Sequence, residues 1–296
     1  MSSSTLNESL PPDIDTESLP SLADSGSSCN GDSGSDKLLS DTSDEESLPE
    51  SLPSLAKTLD GTLQDDVMEI FSMPRVVPAA RAAGLRAELS VDIHNSCDLT
   101  KNICRAWLLR EIEARRPRVV ISSPPCTMHS QLMFMNMNRM DPADLRERME
   151  TAMSLLEFSF QVARMQEAAH RSFVHEHPAS ATSWRKPCTR TLLAKQSFQT
   201  VVFDQCRFGL QSPAGWPLKK PTRFLFCNLP SLAAKFNVRC CCKKALLIPT
   251  KTGFERRLHK AILGNEKGVK VSRHAQTYPP ALVKALVDVI RVDVCA

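Results

Sequence analysis

The chain has 296 residues and a formal net charge of +4, enough length for one large domain or two small ones. Its eleven cysteines lack the spacing of a secreted disulfide framework, no signal-peptide pattern opens the sequence, and no apolar run reaches membrane-spanning length. Composition therefore argues against secreted and membrane-spanning classes and predicts a nuclear or cytoplasmic protein.

The charge is divided between two parts of the chain. Residues 1–66 carry 15 acidic and 2 basic side chains, whereas residues 67–296 carry 18 acidic and 35 basic ones, so the net charges are −13 and +17. Residues 1–65 are rich in Ser, Asp, Glu, Gly and Pro and contain no aromatic residue. This composition predicts a disordered acidic tail before a folded domain over residues 66–296.

The tail contains four Glu-Ser-Leu-Pro copies, which begin at Glu8, Glu17, Glu46 and Glu50. They fit either a short motif for docking a protein partner or low-complexity sequence without a role. The acidic charge of the tail would also weaken non-specific binding of nucleic acid by the basic body.

From residue 67 onward, short apolar runs alternate with helical patterns, which predicts an α/β fold with a mostly parallel sheet and helices on both faces. Gly84 is a predicted helix C-cap, Asp98 a predicted N-cap, and Asp141 with Pro142 a predicted helix start. Strand patterns occur at residues 67–71, 89–93, 119–121, 172–178, 200–204 and 222–226, and helical patterns at 76–83, 98–114 and 141–169.

The strand at 119–121 is followed by Ser122-Ser123-Pro124-Pro125-Cys126. Because two prolines prevent strand pairing and a normal helix start, Cys126 is predicted on a stiff loop at the carboxyl end of a strand. Ligands bind at such strand ends in open α/β sheets. The loop alone does not decide between a reactive thiol and a buried inert one.

Glu176 stands between His175 and His177 at the end of another strand, so alternation points its side chain away from both histidines. It could act as an acid, pair with a nucleobase, or be a structural carboxylate. The sequence predicts no metal site here. It also predicts none from Cys240-Cys241-Cys242 with His259 and His274, because three consecutive cysteines cannot all point at one ion on regular backbone.

The start of the domain contains part of a nucleotide-binding pattern. Asp92, near the end of the second strand, lies where an acidic residue would hydrogen-bond a ribose hydroxyl. The first turn, Phe71 to Val76, contains no glycine, although glycine lets the backbone approach a ligand closely. These residues therefore favour a Rossmann-like sheet more strongly than they favour cofactor binding.

In their order, these stretches resemble the cytosine-C5 DNA methyltransferase family over about residues 67–296. Ser123-Pro124-Pro125-Cys126 resembles its Pro-Cys loop, and residues 173–178 resemble the motif whose glutamate contacts the target base. Gln205-Cys206-Arg207, or alternatively residues 220–224, resembles the motif that supplies an arginine near the cysteine. Residues 275–293 resemble its C-terminal motif, a turn and helix that return to the first strand. The set also resembles methyltransferase-like modules of some retroelement polyproteins.

The resemblance implies a Rossmann-like methyltransferase fold that uses S-adenosyl-L-methionine to methylate cytosine in nucleic acid, with DNA as the expected partner. It implies covalent catalysis and flipping of the target base out of the duplex. The implied catalytic residues are Cys126, Glu176, Arg207 and Arg223, and the implied cofactor-binding residues are Glu69, Phe71, Ser72, Asp92, Asp98 and Pro124.

The chain departs from the family pattern in two places, the glycine-rich first motif and the Asn after the glutamate, where His177 stands. About residues 215–272 form a predicted small basic recognition insert suited to phosphate contacts. Two alternatives stay open: a catalytically inactive nucleic-acid-binding module with this fold, and a hydrolase that uses Cys126 and His129, for which no oxyanion-hole signal is present.

Overall fold

The structure, a computed structural model, describes residues 64–95, 97–240, 246–250 and 253–295. The predicted acidic tail lies outside the described residues except for its last two, and so do its Glu-Ser-Leu-Pro copies. The strands are β1 (Val67–Ile70), β2 (Ser90–Val91), β3 (Val119–Ser122), β4 (Ser172–Pro178), β5 (Phe198–Asp204), β6 (Pro221–Cys227), β7 (Leu246–Thr250), β8 (Gly253–Arg257), β9 (Asn265–Glu266) and β10 (Val269–Lys270). The α-helices are α1 (Val76–Ala82), α2 (Asn102–Arg115), α3 (Gln131–Met137), α4 (Pro142–Ala168), α5 (Pro187–Leu193), α6 (Pro230–Phe236), α7 (Val271–His274) and α8 (Pro280–Cys295).

Six strands form one sheet in the order β2-β1-β3-β4-β6-β5. Strand β6 runs antiparallel to both of its neighbours, and the other pairs are parallel. The predicted α/β class with a mostly parallel sheet is confirmed, and the architecture is compatible with a Rossmann-like fold. The chain moves outward from β1 to β2 and then returns across β1 to β3. The strand order therefore reverses between β1 and β3, and ligands bind at such a switch point, outside the carboxyl ends of the strands.

Helices cover both faces of the sheet, which explains why β3 is apolar on both sides. Val119 and Ile121 belong to the buried cluster formed with α1, α6 and α8, whereas Val120 belongs to the cluster formed with α2, α4 and α5. Successive strand residues point to opposite faces, so a strand covered twice must be apolar throughout. None of the helices in the described ranges combines the length and apolar composition needed to cross a bilayer.

The structure confirms one predicted helix start and corrects another. Asp141 caps α4 by accepting hydrogen bonds from the backbone N–H groups of Ala143 and Asp144. Asp98 does not cap α2, whose N-cap is Lys101. The Oδ1 atom of Asp98 instead accepts from the backbone N–H of Thr100, at 2.9 Å, and closes a turn before the helix.

The second strand is shorter than the predicted 89–93. The side chain of Asn95 accepts from the backbone N–H of Asp92, and the side chain of Asp92 accepts from the N–H of His94. These local bonds favour a 3-10 turn at Ile93–Asn95 over continued strand pairing. Asp92 therefore stands in the loop that follows β2.

Part of the segment predicted as an insert, residues 215–272, belongs to the main sheet and its helical layer. Strand β6 pairs with β4 and β5 along its length, and Leu232 and Phe236 of α6 are fully buried with α8. Among the described residues, the β7–β8 and β9–β10 pairs form separate two-stranded sheets. The part that extends beyond the main sheet begins after α6.

Candidate functional site

Cys126 and Glu176 are positioned by neighbouring strands. Strands β3 and β4 pair in parallel with Ser122 opposite His175, so the loop after β3 and the side chain of Glu176 reach the same edge of the sheet. The rings of His175 and His177 lie 4.7 Å apart on one face of β4. Glu176 points to the other face, as strand alternation predicts.

A cleft of about 610 Å³ opens at this edge. That volume lies within the usual range for small-ligand sites. Pro178, two residues beyond Glu176 on the same face of β4, forms part of the wall. The cleft is lined by side chains that include Cys126, Met135, Pro178, Lys220, Leu263 and Lys270.

Lys220 is the cation beside the candidate catalytic pair. Its Nζ lies 3.9 Å from Oε1 of Glu176, and both side chains are largely buried, 16% and 9% exposed. Burial raises the pKa of the Cys126 thiol, the negative charge of Glu176 raises it further, and the Lys220 ammonium opposes both. Burial also raises the pKa of Glu176, again against the influence of Lys220. The three groups therefore form one electrostatic unit.

The two predicted arginines lie elsewhere in the structure. Arg207 is exposed on the 3-10 turn that follows β5. The guanidinium of Arg223 lies 5.0 Å from the centre of the Trp184 ring, and Arg223 is opposite His177 in the β4–β6 register. Arg223 is therefore on the face of the sheet away from Glu176. The motif that contains it contributes Lys220 to the cleft.

His177 holds the cysteine loop. Its Nε2 lies 3.0 Å from the carbonyl oxygen of Pro124, and its Nδ1 lies 2.7 Å from the hydroxyl of Ser183. Because a carbonyl oxygen can only accept, Nε2 carries the proton and Nδ1 accepts from Ser183. Burial is the main cause that lowers the pKa of His177 to about 3, so the ring is neutral at ordinary pH. Sequence reasoning recorded His177 only as a departure from a pattern and missed this role.

Tyr278 connects the C-terminal motif to the same loop. Its hydroxyl lies 2.9 Å from the hydroxyl of Ser123, in a side chain that is almost completely buried. Burial, followed by the charge of Glu176, raises the pKa of Tyr278 well above its ordinary value. Helix α8, which follows this residue, packs in the same buried cluster as α1 and β1.

Two of the predicted cofactor residues are engaged in the first turn. The Oε2 atom of the fully buried Glu69 accepts from the backbone N–H groups of Arg75, Val76 and Val77, at 3.0, 3.0 and 3.2 Å. Phe71 adopts a φ of 59°, in the left-handed region that favours glycine. The turn that lacks glycine in the sequence is therefore strained at Phe71, at a cost of about 1–2 kcal/mol.

Three predicted cofactor residues meet in a small groove of about 90 Å³ at the carboxyl ends of β1 and β2. Phe71, Asp92 and Asp98 line it, together with Pro125. Pro125 lines the groove and the next residue, Cys126, lines the cleft, so the two cavities are adjacent.

The other predicted cofactor residues do not line this groove. The hydroxyl of Ser72 donates to the carbonyl of Met73, the carboxylate of Glu69 binds the start of α1, and the carbonyl of Pro124 accepts from His177.

The hydrolase alternative gains no support from this geometry. The ring of His129 is fully buried and packs 5.8 Å from the ring of His177. Burial lowers the pKa of His129. The charges that shift the pKa of Cys126 come from Glu176 and Lys220.

No protein-family model matches the chain, and no curated protein matches it.

Proposed function

We propose that the chain is a cytosine-C5 methyltransferase-like protein that receives a nucleobase in the cleft beside Cys126. The observation that carries the proposal is the placement of Cys126 and Glu176, fifty positions apart in sequence, at the ends of adjacent parallel strands, where the charge of Glu176 raises the pKa of the thiol. A thiol nucleophile and a carboxylic acid acting on one ring need this arrangement.

S-adenosyl-L-methionine is the implied methyl donor, and the groove beside the cleft fits its nucleoside part chemically. The ring of Phe71 would pack on the adenine, and the carboxylates of Asp92 and Asp98 would accept hydrogen bonds from ribose hydroxyls or the amino groups. The volume of about 90 Å³ is smaller than the roughly 300 Å³ of typical ligand sites, so it accommodates only part of the cofactor.

The proposed chemistry begins with the thiolate of Cys126, whose sulfur forms a bond to C6 of the cytosine. The carboxylic acid of Glu176 gives its proton to N3, which prevents negative charge from accumulating on the ring. Carbon C5 then has enamine character, and the methyl group that S-adenosyl-L-methionine supplies when bound is transferred to it. A solvent water molecule takes the C5 proton, and the electron pair of the C5–H bond forms the C5–C6 double bond while the C6–S bond breaks. These changes restore the thiolate and the aromatic base, and N3 returns its proton to Glu176.

The shifted pKa values support these roles as a pair. A raised pKa favours the protonated form of Glu176, which is the form that can donate to N3. Protonation also removes the charge that raises the pKa of Cys126, and leaves the Lys220 ammonium to favour the thiolate. Protonation of Glu176 therefore gives the acid that donates to N3 and at the same time favours the thiolate of Cys126.

The proposed substrate is a base within a nucleic acid. The part of the chain that contains the cleft, residues 67–296, has a net charge of +17, which suits a polyanion. Lys270 lines the cleft, and Lys219 is exposed next to Lys220. The exposed side chains of Met135 and Leu263 on the cleft wall suit contact with bases that lose their stacking when one base flips out.

A second candidate is a nucleic-acid-binding module that does not transfer a methyl group. The observation that favours it is the first turn, where the small groove, the strained Phe71 and the engaged carboxylate of Glu69 leave little space for a cofactor. In this candidate the basic surface binds nucleic acid and Cys126 has no chemical role.

A covalent trap distinguishes the two candidates. Duplexes that contain 5-fluorocytosine are incubated with the full chain and S-adenosyl-L-methionine, and adducts are detected by denaturing electrophoresis. Fluorine cannot leave C5 as a proton does, so the C6–S bond persists after methyl transfer. We expect an adduct with the wild type and with Cys188→Ser, a matched control, none with Cys126→Ser, and slower formation with Glu176→Gln.

Calorimetry with the demethylated cofactor product accompanies the trap. If the chain binds nucleic acid in a salt-dependent way but forms no adduct and shows no heat of binding with the cofactor product, the second candidate, the binding module, is supported. An adduct that persists in Cys126→Ser contradicts the proposed nucleophile, and a chain that binds neither ligand contradicts both candidates.

A further inference from the structure

Two cysteines and a histidine from three separate segments meet away from the cleft. Cys206 lies on the 3-10 turn after β5, Cys240 follows α6, and His259 follows β8. One potential ligand atom from each residue lies within 4.8 Å of the other two. Both cysteines are buried and the histidine is half-buried. The sequence favoured no metal site around Cys240 and did not consider Cys206. Cys241 and Cys242 lie outside the described residues.

The spacing of these atoms suits a tetrahedral ion. The Sγ of Cys240 lies 3.6 Å from Nε2 of His259. With Zn–S bonds of about 2.3 Å and Zn–N bonds of about 2.05 Å, a tetrahedral site separates sulfur from nitrogen by about 3.6 Å. The observed distance therefore matches one edge of a zinc tetrahedron.

The chemistry of the three side chains selects zinc over hard cations. Thiolate and imidazole are the ligands that Zn²⁺ prefers, whereas Mg²⁺ and Ca²⁺ prefer oxygen. Binding releases one proton from each thiol, and the two thiolates then balance the charge of the ion. Within the described residues three side chains offer ligand atoms, and a structural tetrahedral site takes a fourth protein ligand.

The backbone holds the first two ligands in place. The Oδ2 atom of Asp204, the last residue of β5, accepts from the N–H of Cys240 at 2.7 Å. The backbone N–H of Asp204 donates to the carbonyl of Val238 at 3.1 Å. The segment after α6 is thereby fixed to the end of β5, two residues before Cys206.

A separate contact holds the third ligand. The backbone N–H of Lys260, which follows His259, donates to the carbonyl of Pro217 at 2.9 Å. The backbone of Lys260 also forms a parallel bridge with Leu218.

We propose that Cys206, Cys240 and His259 form a structural zinc site that fastens the segment after β8 to the end of β5. The site also supports the cleft, because the backbone N–H of Gln205, next to Cys206, donates to the carbonyl of Lys220 at 3.0 Å. His274 takes no part, since its Nε2 lies 3.0 Å from the carbonyl oxygen of Gln211. The proposal is independent of whether the cleft transfers methyl groups.

The metal content of the full chain tests the proposal. The protein is made with zinc in the medium, desalted under reducing conditions and measured by elemental mass spectrometry. We expect one zinc per chain in the wild type and in Cys188→Ser, and loss of zinc to background in Cys206→Ser and His259→Asn. A wild type that contains no zinc and takes up no cobalt overturns the proposal, and so does stoichiometric zinc in both ligand variants.

A measurement on the wild type alone identifies the ligands even where a variant fails to fold. The native protein is alkylated with and without a chelator, and the modified cysteines are identified by peptide mass spectrometry. Zinc should protect Cys206 and Cys240 until the chelator is added, whereas alkylation of Cys188 should not depend on the chelator. Equal alkylation of Cys206 and Cys240 under both conditions contradicts the site. Substituted cobalt should show the thiolate-to-metal charge-transfer band, and bound cobalt without that band also contradicts it.

Discussion

The Nε2 atom of His177 donates to the carbonyl oxygen of Pro124 across 3.0 Å. The strand that carries Glu176 therefore also fixes the loop that carries Cys126, through the next residue along. The side chains of Glu176 and His177 point to opposite faces of β4, so the acid lies on the same face as Pro178, which lines the cleft, and His177 holds the loop from the other face. This coupling makes the loop sensitive to changes on the face of β4 that points away from Glu176.

The first prediction concerns His177. Replacement by Leu leaves the buried carbonyl of Pro124 without its donor, and we expect a loss of about 1–3 kcal/mol in the free energy of unfolding. Cys126 should also react faster with iodoacetamide because its loop loosens. His177→Asn, which keeps an amide donor, should recover part of both effects. Denaturant unfolding and peptide-level alkylation measure them. The exposed His94→Leu is the control, and an equal effect in both Leu variants would disprove the role of His177.

The second prediction concerns the charges around the thiol. Removing the carboxylate in Glu176→Gln should lower the pKa of Cys126, and removing the ammonium in Lys220→Met should raise it, because these charges act on it in opposite directions. Alkylation rates between about pH 7 and pH 10, which bracket the ordinary thiol pKa of about 8.5, give the shift. Lys219→Met, an exposed neighbour, should leave the profile unchanged. If the pKa of Cys126 shifted in the same direction in Glu176→Gln and Lys220→Met, the two charges would not control the thiol as predicted.

The third prediction concerns stability in acid. Burial lowers the pKa of His129 and His175 and is the main cause that lowers that of His177 to about 3. Below the unfolded value of about 6.5, the unfolded state binds more protons, so stability should fall as pH decreases from about 6.5 toward 3. Glu176 acts on stability in the opposite direction. Its raised pKa makes the folded state bind more protons than the unfolded state, which favours the folded state as pH decreases.

The contribution of one histidine can be isolated by difference. Each such group adds up to about 1.4 kcal/mol per pH unit in the window between its two pKa values. The pH dependence of unfolding should therefore be shallower in His177→Asn than in the wild type by about that amount. Urea unfolding at a series of pH values measures it. Parallel curves for the two proteins would show that His177 does not stay neutral in the folded state.

The fourth prediction concerns nucleic acid. The affinity of the full chain for a duplex should fall steeply with salt, because each neutralised phosphate releases counterions. If Lys270 contacts a phosphate from the cleft, Lys270→Met should reduce the slope of log affinity against log salt by about 1. Lys284→Met, on α8 and paired with Asp288, is the control. An affinity that does not change with salt would contradict nucleic-acid binding, which both candidate functions require.

Periodicity and turn chemistry were enough to place all six strands of the main sheet and to put Cys126 at a strand end. They could not show that β6 is reversed, because an apolar pattern has no direction. The same limit hid Lys220: the sequence identified arginines by motif, and only the pairing of β6 with β4 shows that Arg223 faces Trp184. Local sequence also could not predict that Cys206 lies close to Cys240, because their proximity depends on the tertiary arrangement of two segments that are distant in sequence.

The position of β6 between β4 and β5 constrains the order of folding during synthesis. Strand β5 is synthesised before β6, which is its partner among the described strands, and the edge of β4 stays unpaired until β6 has emerged from the ribosome. A nascent chain in which β4 has emerged and β6 has not therefore presents an unpaired edge that contains Phe173 and Val174, and such an edge can pair with other chains. Slow translation through this interval would favour aggregation, and a chaperone that covers the edge of β4 would act within it.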